Sequence, residues 1–203
     1  MKVYISPSTQ EHNIGAGTYG TEEKRMNQIA NILIPLLDYN KVPWVRNRPE
    51  MSLYEVISES NASGCDLHVA IHSNAMGVAD AGRARGCEIW IYQNSTKGRR
   101  IAEAIYSNLA PYTPTADRGI KESTTLAELK STNMPSCIVE VSFHDNSEDS
   151  IWILNNMEPI AEAIAKGICS YYGVIYQSAS VDYKAKYENL LTKINELVKG
   201  ESL

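Results

Sequence analysis

The stretch "DLHVAIH", residues 66–72, is almost continuously apolar and ends in a histidine. Such runs, rich in β-branched residues, are typical of strands that are covered on both faces. Helical patterns alternate with these runs along the chain, which predicts an α/β domain with a twisted, mostly parallel central sheet of about six strands flanked by helices. Four further runs share this character: "KVYIS" (2–6), "VPWV" (42–45), "CEIWIY" (87–92) and "SCIVEVSF" (136–143).

The longest helical pattern covers residues 21–40, where apolar side chains recur at the i, i+3, i+4 spacing of one helix face. Thr21 is its expected N-cap, and Pro35 is expected to kink or shorten its last turns. Shorter helical patterns follow at residues 51–64, 97–110 and 158–173.

Composition excludes several classes of function. The formal net charge of −5 offers no basic surface for nucleic acid. No apolar stretch approaches the roughly 20 residues of a membrane-spanning helix, so neither nucleic acid nor a membrane is expected as a partner. The first residues lack the apolar segment of a secretory signal, which predicts a cytoplasmic location in the producing cell. The four cysteines form no CxxC pair and are expected to be reduced core residues.

The composition of the chain changes after residue 176, where small polar residues are followed by an amphipathic pattern. This change predicts a main domain at 1–176 and a linker with an amphipathic helix at 177–203. A coiled-coil-like stripe of about two heptads runs along this helix. The helix is expected to dock on the main domain, to form a homodimer, or to lead to a further module. Its apolar residues are Tyr183, Tyr187, Leu190, Ile194 and Leu197.

Two of the four histidines follow predicted strands. His12 lies in the loop "SPSTQEHNIG" (6–15), and His72 ends the run quoted first. Ligands gather outside the carboxyl ends of strands in open α/β sheets, so both side chains are expected to open into one cleft. A catalytic zinc takes three nitrogen or oxygen ligands and leaves one position for water. Glu22 and Glu23, in the first turn of the next helix, are candidates for the third ligand or simple helix-dipole partners.

Glu140 is unusual because it interrupts the otherwise apolar strand "SCIVEVSF". A buried, unpaired carboxylate there would be costly, so Glu140 is expected to face a partner, a metal or a cleft. A solvent-facing position on an edge strand is the alternative. Beside a zinc-bound water, a glutamate can act as the base and then as the acid of amide hydrolysis.

Four segments, in this order, resemble the zinc-dependent N-acetylmuramoyl-L-alanine amidases of bacterial autolysins and phage endolysins over residues 1–175. They are the histidine loop after the first strand, "TEEKRMNQIA" (21–30), "DLHVAIHSNA" (66–75) and "IVEVSFHDN" (138–146). The first loop departs from the common pattern, because family members often carry a glycine just before the histidine.

The resemblance implies one Zn²⁺ bound by His12, Glu23 and His72, with Glu140 as the general base and acid. Glu23 is preferred to Glu22 because its spacing to an asparagine fits the motif. The motif asparagines Asn27 and Asn74 are expected to orient ligands or substrate. His68 is expected to be a packed or surface residue, with a position on the same face as His72 as the alternative. His144 is expected to be a loop residue, with contact to substrate as the alternative.

The implied function is hydrolysis of the peptidoglycan amide bond between N-acetylmuramic acid and L-alanine. A phage or prophage endolysin, released from the cytoplasm through a holin and followed by a wall-binding module, is the expected biological context. Three alternatives stay open: a sporulation or mother-cell lysis amidase, a module that binds muropeptide without cutting it, and a zinc amidohydrolase with another substrate.

Overall fold

The computed structural model describes residues 1–113, 115 and 118–178. Its strands are β1 (Val3–Pro7), β2 (Trp44–Arg46), β3 (Leu67–Asn74), β4 (Glu88–Tyr92), β5 (Ile120–Ser123) and β6 (Ser136–Phe143). Its α-helices are α1 (Glu22–Tyr39), α2 (Leu53–Ala62), α3 (Thr96–Leu109), α4 (Ala127–Lys130), α5 (Ser147–Asn155) and α6 (Met157–Tyr171). Single 3-10 turns occur at Val78–Asp80 and Ala110–Tyr112. The predicted α/β class is confirmed.

The six strands form one sheet in the order β2-β1-β3-β6-β4-β5. All neighbouring strands run parallel except β4, which runs antiparallel to β6. The carboxyl ends of β1, β3 and β6 therefore meet at one edge of the sheet, and the amino end of β4 joins them there. Side chains from four strands converge at this edge.

The two faces of the sheet have different roles because successive strand residues point to opposite sides. One face, which carries Val69, Ile71, Val139 and Val141, packs in the main hydrophobic core together with side chains of α1, α3 and α6. The other face carries polar groups among its apolar ones, and the short helix α4 covers part of it through Leu129. The core thus holds the sheet in shape from one side and leaves the other side free for chemistry.

Helix α1 begins where the sequence predicts. Thr21 caps it, since its hydroxyl accepts a hydrogen bond from the Lys24 backbone N–H at 3.3 Å. The expectation that Pro35 shortens the helix is wrong, because the helix continues through Pro35 to Tyr39. Packing of its apolar face in the core outweighs the one backbone hydrogen bond that proline removes.

The C-terminal end of the described chain returns to α1. The backbone N–H of Gln177 donates to Asn40 Oδ1 at 2.7 Å, and Asn40 Nδ2 donates to the Gln177 carbonyl at 3.1 Å. The amphipathic stripe from Tyr183 to Leu197 lies outside the described residues.

All four cysteines are free and buried, as expected. Among the residues that the structure describes, no helix is both long and apolar enough to cross a membrane.

Candidate active site

Three carboxylate or imidazole groups form a row across the sheet. Glu140 on β6 is paired in register with His72 on β3 and, on its other side, with Glu88 on β4. Residues directly opposite each other on neighbouring strands project from the same face, so these side chains stand side by side. The strand pairing alone therefore brings two of the residues singled out in the sequence, His72 and Glu140, next to each other.

Glu140 is the least compensated acid of this row. Its Oε2 is buried and has no hydrogen-bond partner among the described residues. Burial, opposed by His72 and assisted by the neighbouring acids Glu22, Glu88 and Glu128, raises the pKa of Glu140 to about 8. A carboxyl group with a pKa near neutrality can both accept and return a proton at physiological pH.

His72 is held between two carboxylates. Its Nδ1 lies 2.8 Å from Glu22 Oε1, and its Nε2 lies 3.1 Å from Glu128 Oε2. Burial disfavours the charged ring, yet the hydrogen bonds and charges of Glu128 and Glu22 together hold the pKa of His72 well above its ordinary value. The same contacts lower the pKa of both carboxylates despite their burial.

Glu22, and not Glu23, reaches His72 from the start of α1. The Glu22 side chain is only 2% exposed and also accepts a hydrogen bond from Asn13 Nδ2 at 2.8 Å. The expected contact of Glu23 does not form, because successive helix residues project about 100° apart and only Glu22 faces the edge of the sheet. The motif spacing that favoured Glu23 does not report this rotation.

His12 does not join the cluster either. Its side chain is 92% exposed and approaches only Glu11, at 3.5 Å. The Asn13 N–H donates to the Gln10 carbonyl at 3.3 Å, so residues 10–13 form a turn that points His12 into solvent. Gln10 of the same loop lines the cleft instead, and its amide nitrogen lies 3.4 Å from His72 Nδ1. The expected grouping of His12, Glu23 and His72 is therefore absent from the described structure.

The two motif asparagines brace the backbone and a neighbouring acid. Asn27 Nδ2 donates to the Ser8 carbonyl at 3.1 Å and so ties α1 to the loop that follows β1. Asn74 Nδ2 donates to Glu88 Oε1 at 2.8 Å at the far end of the row. Neither asparagine contacts His72 or Glu140 through a described hydrogen bond.

The other two histidines are packed inside the protein. His68 is fully buried, lies on the same face as His72 and contacts Glu128 Oε1 at 3.1 Å. His144 is also buried, with its Nδ1 2.9 Å from Ser73 Oγ and its ring stacked on Tyr19. Sequence reasoning missed Glu128 because it lies on a single turn of helix with no periodic pattern. Its one signal is an acid placed between the apolar residues Ala127 and Leu129.

A cleft of about 330 Å³ opens over this edge of the sheet. Its floor includes His72, Glu128 and Glu140, and its polar wall comes from the loop that follows β1. The opposite wall is apolar and is formed by Leu53, Val56, Leu126 and Ile138. A substrate with both polar and apolar groups fits such walls.

The donors for a metal ion are fewer than the sequence predicts. Within residues 1–113, 115 and 118–178, no group of three or more His, Cys, Asp or Glu side chains is arranged to hold a metal. The donors that do converge are Glu22 Oε1 and His72 Nδ1, with the Gln10 amide beside them. An imidazole nitrogen and a carboxylate oxygen are ligand types that zinc accepts, and a carboxylate on the second ring nitrogen is the usual support for a metal-binding histidine. Glu22 and His72 therefore fit two of the three protein positions of a catalytic zinc site, whereas the Gln10 atom beside them is an amide nitrogen, which donates hydrogen bonds and does not bind zinc.

Comparison with known proteins identifies relatives along most of the chain. The family model described as N-acetylmuramoyl-L-alanine amidase matches residues 3–170. An uncharacterized Bacillus subtilis protein, YqiI, is 32% identical over 179 residues, which are 84% of this chain and 84% of YqiI. The N-acetylmuramoyl-L-alanine amidase LytC of B. subtilis is 30% identical over 84% of this chain, but the match covers only 35% of LytC.

Solved structures agree in fold. The catalytic domain of CwlV, an N-acetylmuramoyl-L-alanine amidase from Bacillus (Paenibacillus) polymyxa, superposes with a TM-score of 0.77 at 21% identity, covering 86% of this chain and 99% of that domain. The family model spans β1 to the last turn of α6 and so includes every side chain of the row and the cleft. The chain belongs to the N-acetylmuramoyl-L-alanine amidase family.

Proposed function

We propose that this chain hydrolyses the amide bond between N-acetylmuramic acid and the L-alanine of the peptidoglycan stem peptide. The observation that carries the proposal is Glu140, a carboxyl group with one shielded, unpartnered oxygen and a raised pKa, beside His72 on the floor of an open cleft. Membership in the amidase family supports the choice of bond. Because the match covers only 35% of LytC, the comparison supports a shared domain and not the activity of the whole LytC protein.

The proposed activity uses one zinc ion held by Glu22 and His72. The resemblance to zinc-dependent enzymes and the converging donors support this assignment. His12 and Glu23 are left out of it because neither side chain reaches the donors. A zinc ion in such a site polarises the scissile carbonyl and lowers the pKa of water from about 15.7 towards ~7.

The protein side chains bind the substrate and transfer the proton. The walls of the cleft hold the substrate so that its amide carbon lies above the row of His72 and Glu140. Glu140 accepts a proton from the attacking water. It returns that proton to the amide nitrogen, so that the amine of L-alanine leaves as a neutral group. Glu128 and Asn13 keep His72 and Glu22 in place during both steps.

Digestion of purified Gram-positive peptidoglycan tests the function. Wild type, wild type with a chelator and Glu140→Gln would be compared by mass spectrometry of the soluble products. New stem peptides with free L-alanine amino termini are expected only from metal-replete wild type. Muropeptides that bind and are never cut would favour a binding module, and release of acetate would favour a deacetylase, and either result would overturn the proposal.

For the biological role, we propose a phage or prophage endolysin that stays in the cytoplasm of the producing cell until a holin releases it. The proposed bond cleavage supports this role, because cutting stem peptides from glycan strands weakens the wall from within. Expression in a Gram-positive host should cause lysis only when the membrane is permeabilised. Lysis without permeabilisation, or activity confined to spore peptidoglycan, would contradict the role while leaving the chemistry intact.

A further inference from the structure

A continuous chain of hydrogen-bonded side chains leads from His72 through Glu128 to His68 and Ser60. Ser60 Oγ lies 2.9 Å from His68 Nδ1, and His68 Nε2 lies 3.1 Å from Glu128 Oε1. The other carboxylate oxygen of Glu128 lies 3.1 Å from His72 Nε2. The chain therefore connects α2, β3 and α4 to the residue at the centre of the site.

Burial makes this chain costly unless each member is satisfied. Ser60 and His68 are fully buried, and Glu128 is 5% exposed. Glu128 Oε1 also accepts a hydrogen bond from Ser6 Oγ at 2.5 Å, so both oxygens of the carboxylate have partners. His68 is held further by stacking on Tyr4, with ring centroids 5.4 Å apart. A buried carboxylate fixed at this many points has a defined position.

We propose that Glu128 is a positioning residue that fixes His72 with the proton on Nε2 and its Nδ1 turned towards Glu22, and that His68 and Ser6 hold Glu128 for this purpose. The proposal rests on the proposed function in one respect, namely that Nδ1 is the nitrogen offered to zinc. An ionised carboxylate can only accept hydrogen bonds, so the Nε2 that faces Glu128 must carry a hydrogen. Glu22 faces Nδ1 in the same way, so the metal-free ring carries a hydrogen on both nitrogens. A zinc ion would take the place of the hydrogen on Nδ1, because Glu22 on that side of the ring is the other proposed ligand, while Glu128 would keep the hydrogen on Nε2.

A purely structural role for Glu128 has different consequences. Glu128 could serve only to attach α4 to the sheet, beside the packing of Leu129. In that case its loss would lower stability without changing which nitrogen of His72 carries the proton or how tightly zinc binds. The decisive measurements therefore follow the protonation of one ring nitrogen and the affinity for a metal.

Nitrogen-15 NMR of the full chain, metal-free and with Zn²⁺ added, reads the first quantity. In wild type, Nε2 of His72 is expected to show a bonded proton in both states, and Zn²⁺ is expected to shift Nδ1. An unprotonated Nε2 in wild type would overturn the proposal. If wild type binds no Zn²⁺, the metal part of the proposed function fails, while comparison of the metal-free spectra of wild type and Glu128→Gln still decides whether Glu128 holds the hydrogen on Nε2.

Competition with a chromophoric chelator reads the second quantity. Glu128→Gln keeps the shape of the side chain and removes its charge, and is expected to weaken Zn²⁺ binding about 10–100-fold. His68→Gln, which removes a support of Glu128, is expected to weaken binding less. Glu103→Gln is the control, because Glu103 is an exposed acid on α3, a helix on the other face of the sheet. Equal Zn²⁺ affinities for wild type, Glu128→Gln and Glu103→Gln would refute the positioning role.

Discussion

Glu140 differs from every other acid near the cleft because one of its oxygens has no partner within the described chain. Glu22, Glu88 and Glu128 each receive two or more hydrogen bonds and have lowered pKa values, whereas burial raises the pKa of Glu140 to about 8. A partnered acid is fixed in its ionised form. The unpartnered acid is the one free to exchange a proton with a substrate.

Replacing Glu140 by glutamine should separate catalysis from folding. The amide has the same shape but cannot accept the proton of water, so kcat is expected to fall about 10²–10⁴-fold. The melting temperature should change little, since no described hydrogen bond to Oε2 is lost. Hydrolysis of soluble muropeptides and thermal unfolding measure the two effects, with the exposed Glu103→Gln as control. Near-wild-type turnover in Glu140→Gln would remove Glu140 from the mechanism.

Glu22 and Glu23 offer a sharper comparison because they are neighbours of the same type. Glu22→Gln removes the carboxylate that faces His72 Nδ1, so bound zinc, measured by elemental analysis after dialysis, should fall to near zero. Glu23→Gln should keep a full equivalent, and so should His12→Ala, since the His12 side chain is 92% exposed. Loss of zinc from Glu23→Gln with retention in Glu22→Gln would show that the ligands are those implied by the family motif.

The positions of these residues in the fold could be predicted from sequence where strand geometry governs. His72 and Glu140 both lie on long strands, and the register of parallel pairing places them side by side. Glu22 and His12 depend on finer features, namely the rotation at the start of a helix and a turn within a loop. The position of Glu128 beside His72 depends on tertiary structure alone, because the single helical turn α4 that holds Glu128 is placed there only by the folding of the chain.

In helix α6, too, the sequence alone does not predict the effect of tertiary packing. Its Gly167 faces α3, where an added Cβ would lie 2.6 Å from the Cα of Ile105 and 2.7 Å from its backbone nitrogen. Alanine at this position gains up to about 1 kcal/mol in intrinsic helix propensity. The clash is with backbone that cannot move alone, and overpacking of this kind typically costs about 1–3 kcal/mol.

Gly167→Ala is therefore expected to destabilise the protein, although helix propensity alone predicts the opposite. Urea unfolding should give a lower midpoint with an unchanged slope. Gly77→Ala is a suitable control, since a Cβ there meets nothing within 4 Å and no net destabilisation is expected. A Gly167→Ala variant as stable as wild type would mean that α3 and α6 can separate without loss.

Most elements were predictable because they carry long patterns, such as the apolar face of α1 and the apolar runs of β3 and β6. Three elements, β5, α4 and α5, were not predicted. β5 and α4 have only four residues each, and α5 is a nine-residue helix with a weak apolar stripe. The antiparallel direction of β4 was also beyond the pattern, since it depends on how the chain crosses the sheet.

At the scale of the whole molecule, the two faces of the sheet separate stability from chemistry. The main core, built on β1, β3, β4 and β6 with α1, α3 and α6, contains none of the residues that line the cleft. The acids Glu88, Glu128 and Glu140 and the residue His72 stand on the opposite face, where the cleft opens. The core should therefore form whether or not a metal is bound.

We therefore expect hydrolysis to require zinc, and we expect zinc to raise the free energy of unfolding only through its binding to the folded protein. A chelator is expected to abolish hydrolysis and to leave the far-UV circular dichroism spectrum unchanged. Zinc at 100 times its dissociation constant should add about 2.7 kcal/mol to the free energy of unfolding, because it binds the folded state only. For a domain of this size, that corresponds to a rise in melting temperature of ~5–10 °C. His72→Ala, which lacks the central donor, should fold and show no such rise. An equal rise in His72→Ala would place the stabilising zinc elsewhere, and full activity in chelator would exclude a metal from the reaction.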